Sequence, residues 1–159
     1  MLDIKNAGEL VLMLAAKKRK KYVDVVIEFN ESLDVEIRNA KVEKVEQSTS
    51  LGLGIRVIEN GRTGLASTER LSQESITHTF QNACENAKFQ DPTEVEMLDV
   101  PKEIKSSSQL KINNPEIDLL DVDDLIQLGM SMEDFIKASD ERVVSIPYLG
   151  ASRGRNESL

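Results

Sequence analysis

Tryptophan is absent from this 159-residue sequence, and cysteine and histidine occur once each, as Cys84 and His78. One cysteine excludes an intrachain disulfide framework and points to the cytoplasm. One histidine excludes any pair of histidines as zinc ligands within the chain, and structural or catalytic zinc sites need three or four ligands. With aromatic residues at 4%, the core has to be built from Val, Ile, Leu and Ala. Long apolar runs are missing too. The stretch Leu10–Ala16 is too short to span a bilayer, and its basic residues follow it, opposite to a secretory signal. Positive charge is outweighed: the formal net charge is −8, which opposes attraction to nucleic acid and to anionic membrane surfaces.

At 40% apolar content, the length favours a single folded domain, or one with a small appendage. The basic cluster at Lys17–Lys21 matches a nuclear-localisation or nucleic-acid patch in composition, but its position after an amphipathic segment makes it the basic end of a helix. Ala7, Leu10, Val11, Leu14 and Ala15 recur at helical spacing from Asn6, the expected N-cap, to about Arg19. Val23, Val25, Ile27 and Phe29 then alternate with mostly polar neighbours, as do Leu33, Val35 and Ile37. These are half-buried strands. Asn30-Glu31 and Asn39-Ala40 suit hairpin turns before a third run over Lys41–Ser48. Asn60-Gly61, with both residues tolerant of positive φ, should join strands over Leu53–Glu59 and Arg62–Ser67. The expected class is α+β: an antiparallel β-meander of about five strands with flanking helices packed on the sheet.

Ser72 can cap a helix with the stripe Ile76, Thr79, Phe80, Ala83, Cys84 and Ala87, ending near Asp91-Pro92. Cys84 on that stripe reads as a buried, inert thiol, and His78 lies off it. Pro101, Ser106–Ser108 and Asn113–Pro115 interrupt any period, so residues 93–120 read as an extended connector. A further helix is expected over Asp121–Ser139, with Val122, Leu125, Leu128, Met132, Phe135 and Ile136 near one face. Asp121, Asp123 and Asp124 complement its dipole, since they lack the spacing of a calcium loop. Arg142–Leu149 is strand-like, Gly150–Asn156 is turn-rich, and Glu157–Leu159 reads as a strand that is cut short. The expected organisation is a core over 1–92, the connector, and a helix with the start of a strand over 121–159, leading into a missing C-terminal domain.

Gly52-Leu-Gly-Ile-Arg56 lacks the third glycine and strand-to-helix setting of a phosphate loop, so its glycines serve a bulge or a close backbone approach. Arg56, inside an apolar strand, is either a paired arginine whose stem packs while its head reaches solvent, or an interdomain or peptide-carboxylate contact. No nucleophile, base and orienting group assemble, and neither a catalytic residue nor a cofactor or metal ligand is assigned in this chain.

Several segments together resemble one family. Tyr22-Val-Asp-Val-Val26, Val35-Glu-Ile-Arg-Asn-Ala-Lys-Val-Glu43, Gly52-Leu-Gly-Ile-Arg-Val57, Asn60-Gly-Arg-Thr-Gly-Leu-Ala-Ser67 and Ala83-Cys-Glu-Asn-Ala87 are similar to the N-terminal domain of the TldD/PmbA (TldD/TldE) metallopeptidases, once described as modulators of DNA gyrase. The sequence departs at Ala40, where the family has Gly after Asn, so a different turn type is expected there. Asp91-Pro92 looks more like the PmbA/TldE branch than the TldD branch. The resemblance implies a zinc motif, His-Glu-x-x-x-His, in the C-terminal half of a TldD-type partner, and a role here in enclosing unfolded peptide and supporting a dimer with a TldD-like subunit or a second copy. Such a domain could receive peptide by strand addition. Two alternatives stay open: a free-standing protein or peptide interaction module binding through a sheet edge, and the N-terminal half of an active TldD-type subunit.

Overall fold

In a computed structural model, the structure describes residues 2–20, 22–94 and 114–159. Elements run in the order α1 (Ile4–Lys17), β1 (Tyr22–Arg38), β2 (Lys41–Glu59), β3 (Arg62–Thr68), α2 (Gln73–Lys88), α3 (Pro115–Asp118), α4 (Val122–Ser139) and β4 (Leu149–Ser158). The strands form a four-stranded sheet in the order β3-β2-β1-β4. The α+β class with an antiparallel sheet and flanking helices stands, with four strands among the described residues in place of five. No turn forms at Asn30-Glu31, because Val23, Val25, Ile27, Leu33, Val35 and Ile37 keep one phase of alternation through that polar dipeptide. The third run and Leu53–Glu59 likewise merge into β2.

The described residues within Met1–Phe29, Ser50–Ile104 and Glu157–Leu159 form one compact unit, and those within Asn30–Thr49 and Lys105–Asn156 form a second. In the first, α1 and α2 cover the sheet. Its core joins Ala7, Val11, Ile27, Leu53, Ile55, Val57, Ile76 and Phe80, all essentially inaccessible. Helix α1 is capped by Asp3 and not by Asn6: the Asp3 carboxylate accepts from the Asn6 backbone N–H at 2.7 Å, and the Asn6 amide returns a bond at 2.6 Å. A carboxylate is the stronger acceptor for orphan N–H groups at the positive helix end. Ser72 caps α2 as expected, accepting from Ser75 N–H at 3.0 Å. Asn60 and Gly61 both have positive φ, +54° and +74°, as the tight β2–β3 turn requires.

Where β3 passes beneath α2, backbone meets backbone. A Cβ on Gly64 would overlap the Ala83 carbonyl oxygen and Ala87 amide nitrogen and come within 2.9 Å of Ala87 Cβ. Only glycine on β3 opposite two alanines on α2 lets the helix sit this low. Gly64→Ala is expected to cost about 3 kcal/mol, because no flexible side chain is present to yield; chemical denaturation of the purified chain measures it.

The second unit packs α4 on Leu33, Val35, Ile37, Leu149 and Ala151. The buried positions of α4 are Leu125, Gly129 and Glu133, while Leu128, Met132 and Phe135 are 49%, 43% and 77% exposed. The expected apolar face is therefore rotated. Gly129 sets the rotation: a Cβ there would meet Ile37 Cγ1 at 2.7 Å, so the helix rests on its glycine side. Part of the expected connector, Pro115–Asp118, is the short helix α3, and its residues 95–113 lie outside the described residues. The expected strand at Arg142–Leu149 is not formed. Pro147 carries no N–H for a ladder, and the strand begins instead at Leu149, running through the segment expected to be turns.

Glu133 explains how the β1–β2 turn keeps an alanine. Asn39 and Ala40 have φ of +52° and +55°, so both central positions are left-handed, and the different turn type expected at Ala40 is not found. The Glu133 side chain, 1% exposed, accepts from Ala40 N–H at 2.8 Å and from Lys137 Nζ at 2.5 Å. The Lys137 ammonium first, and then the Ala40 N–H, hold its carboxyl below the usual glutamate range. A carboxylate depressed in the folded state stabilises above its unfolded pKa of about 4.3, and that contribution is lost as pH falls through the lower folded value. The melting temperature should therefore fall on acidification below about pH 4.3. In Glu133→Gln, which cannot titrate, that fall should be smaller.

Candidate interaction surface

Among the described residues, helices cover one face of the first unit's sheet and leave the other open. Leu53, Ile55 and Val57 point into the core, so Gly52, Gly54 and Arg56 alternate onto the open face. Register sets Gly54 opposite Ser67 and Arg56 opposite Leu65. Together with Asp24 and Val26 these residues line a shallow groove of about 580 Å³. Its floor at Gly54 is bare: among the described residues nothing lies within 4 Å of where a Cβ would stand there. Its apolar sides are Val26 and Leu65, 56% and 63% exposed.

Arg56 sits at the polar end of this groove. Its Nε donates to Asp24 Oδ2 at 2.6 Å, and a second guanidinium nitrogen contacts the same oxygen. Both side chains are roughly half exposed, so the paired-arginine reading describes its geometry while the head stays within reach of a ligand. A carboxylate arriving there meets an arginine already partnered, and it must share the fork or displace Asp24. The groove can accept a flat or extended chain over Gly54, with apolar contacts along the sides and one charge-assisted anchor.

The other residues singled out above do not gather at this groove. His78 is exposed on α2 and lies 3.2 Å from the Asn82 amide. Cys84 is half-buried against the core, and burial pushes its thiol pKa up, so it is mostly protonated near neutrality. Lys20, in the basic cluster, pairs with Glu59 at 2.5 Å. Asp121 and Asp124 form a reciprocal capping box, each side chain accepting from the other's backbone N–H at 3.0 Å. Glu133 was not visible to sequence reasoning as a structural acceptor. The signal was an acid placed between Gly129 and Ile136 on the helix side that turns out to be buried. Among the described residues no three His, Cys, Asp or Glu side chains converge as a metal site requires, and no helix is long and apolar enough to cross a membrane.

Residues 23–87 match a family described as PmbA/TldA metallopeptidase domain 1. Over those residues the chain is similar to the N-terminal domain of the TldD/PmbA family. It is 26% identical over 147 residues to the metalloprotease PmbA of Escherichia coli O157:H7, covering 89% of this chain and 31% of that protein. The chain thus spans about a third of that relative. Among solved structures, a candidate modulator of DNA gyrase from Bacteroides thetaiotaomicron superposes with a TM-score of 0.73 at 22% identity, over 99% of this chain and 36% of that one. TldE from Thermococcus kodakarensis superposes at 0.64 and 18% identity, over 96% and 34%. At these identities the structural likeness establishes the fold.

An exposed ion pair contributes little to folding. Arg56→Ala and Asp24→Ala are each expected to cost less than about 1 kcal/mol, measured by denaturant titration, whereas a larger loss would make the pair a structural element of the sheet.

Proposed function

We propose that this chain is the N-terminal, non-catalytic part of a PmbA/TldE-like component of a TldD/TldE-type zinc metallopeptidase, in which it helps to enclose unfolded peptide and to support assembly with a TldD-like subunit. The observation that carries this reading is the first-domain match over residues 23–87 in a chain that spans 31% of its PmbA relative. The described side chains do not fit a zinc site, so on this reading zinc is held by the C-terminal domain of the TldD-type partner. Apolar side chains without cover among the described residues support a missing half: Val144 and Tyr148 are 87% and 68% exposed. The glycine-floored groove is the natural peptide contact, since main-chain contacts over bare backbone are indifferent to peptide sequence. Arg56 is then a positioning contact and not a catalytic one. The proposed location is the cytoplasm, in keeping with a single unpaired cysteine.

The test is the purified 159-residue chain with zinc and unfolded casein. It should retain no stoichiometric zinc after dialysis and cleave nothing, while binding casein fragments several-fold more tightly than its Arg56→Ala variant does. Tight zinc together with chelator-sensitive cleavage would overturn the reading.

A further inference from the structure

A second concave site adjoins the groove of the first unit. Thr63 and Leu65 of β3, with Asn86, Phe89 and Gln90 at and just past the end of α2, line a depression of about 410 Å³. Leu65 also lines the groove, so the two sites are continuous across one side chain. Phe89 stands at this depression 83% exposed, beside a Leu65 that is 63% exposed. It caps the C-terminal end of α2, where its backbone N–H donates to the Asn86 carbonyl at 3.2 Å, so the helix end fixes where the ring is presented.

The backbone beside the ring adds a second contact. Glu59 and Arg62 flank the two-residue turn at Asn60-Gly61 as partners, so pairs that exchange both hydrogen bonds recur at Val57–Gly64 and Ile55–Ala66. The N–H and C=O groups of Thr63 and Leu65 then point away from β2, along the outer edge of a strand that is terminal in the sheet. The Asn86 amide agrees with that direction, since it donates to the Leu65 carbonyl at 2.8 Å. Among the described residues no partner meets the Thr63 N–H or C=O. One residue of strand edge is therefore open, and Asn86 stops a pairing there from running on.

The geometry points to a side-chain subsite for peptide: an extended segment pairs one residue with Thr63 and lays a large apolar side chain, best an aromatic one, on Phe89 and Leu65. Main-chain bonds at a strand edge are indifferent to sequence, and the pocket beside them supplies the preference. None of the five lining residues is charged, so a charged side chain would lose hydration there without gaining a partner. A second ring gains an offset or edge-on contact with the Phe89 ring. This inference rests on the reading of the chain as a peptide-binding domain, and adds to it a preference that bare backbone over Gly54 does not supply.

The chain has no tryptophan, so a tryptophan in a peptide is the sole indole in the mixture. The probe is a capped, uncharged Gly/Ser/Thr peptide with one central tryptophan, titrated with the whole chain from roughly 10 µM to roughly 1 mM, the range of a weak contact. Its emission should shift to the blue on binding. The same peptide with serine in place of tryptophan should compete at least about fivefold less well. Phe89→Ser, at an exposed position, should leave circular dichroism unchanged and remove that difference, while Phe89→Tyr should keep it to within about twofold. Thr63→Pro, which deletes an outward N–H that an edge strand can forgo, should weaken both peptides alike. Equal affinity for the two peptides, a preference that survives Phe89→Ser, or binding that Thr63→Pro leaves unchanged would overturn the subsite and leave the peptide reading of the groove standing. Absence of binding by both peptides would overturn subsite and groove together, and a Phe89 that acts only in self-association of the chain would overturn the subsite.

Discussion

A single unbroken alternation along β1 is the constraint on which both cores depend. Val23, Val25 and Ile27 pack with the helices of the first unit, and Leu33, Val35 and Ile37 pack against α4 in the second. All six are odd-numbered. A slip of one residue between the two sets would turn one of them to solvent. A turn at Asn30-Glu31 would also break the phase, because a two-residue reversal sends the chain back antiparallel. The polar residues there are accommodated because a strand interior tolerates outward polar side chains.

Small residues placed against backbone are the second dependency, and they give physical content to the segments that carry the family resemblance. Gly64 and the pair Ala83 and Ala87 belong to two of those segments and meet where α2 lies on β3 with no room for a Cβ. Gly129 plays the corresponding part for α4 against Ile37. In each case the absent side chain fixes the depth at which a helix rests, and depth decides which flanking residues are buried. That is why Glu133 is enclosed while Phe135, two residues on, is left outside.

Features set by local chemistry were legible in the sequence. The Asn60-Gly61 turn follows from positive φ, the α2 stripe follows from 3.6-residue spacing, and the cap at Ser72 follows from its hydroxyl. What was not legible depends on partners remote in the chain. The left-handed Ala40 is held by Glu133, far away in sequence, and no local rule announces that bond. The exposed face of α4 was misassigned because periodicity treats Gly129 as neutral, although packing makes it the contact point. Strand β4 was hidden by Gly150, Gly154 and Asn156, whose turn preference yields to pairing with β1. Arg56 was singled out as unusual, but its carboxylate partner, Asp24, lies on a neighbouring strand that spacing alone could not bring to it.

The fold protects its edges by different chemistry in different places. Strand β3 is terminal in the sheet order, yet α2 lies against it at Gly64, and the Asn86 amide occupies the Leu65 carbonyl at 2.8 Å. A backbone acceptor already taken by a side chain cannot template a new strand. Among the described residues no such side chain serves Lys41–Thr49, and the protection seen there is charge. Charge of one sign repels every copy of itself, which is why runs of lysine are effective edge guards. Alternating charge repels copies in some registers and attracts them in another. The pattern Lys-Val-Glu-Lys-Val-Glu over residues 41–46 is therefore a filter on how strands approach and not a bar to their approach. Such a pattern opposes any approach that sets like charges face to face and admits only a strand with the matching order of signs.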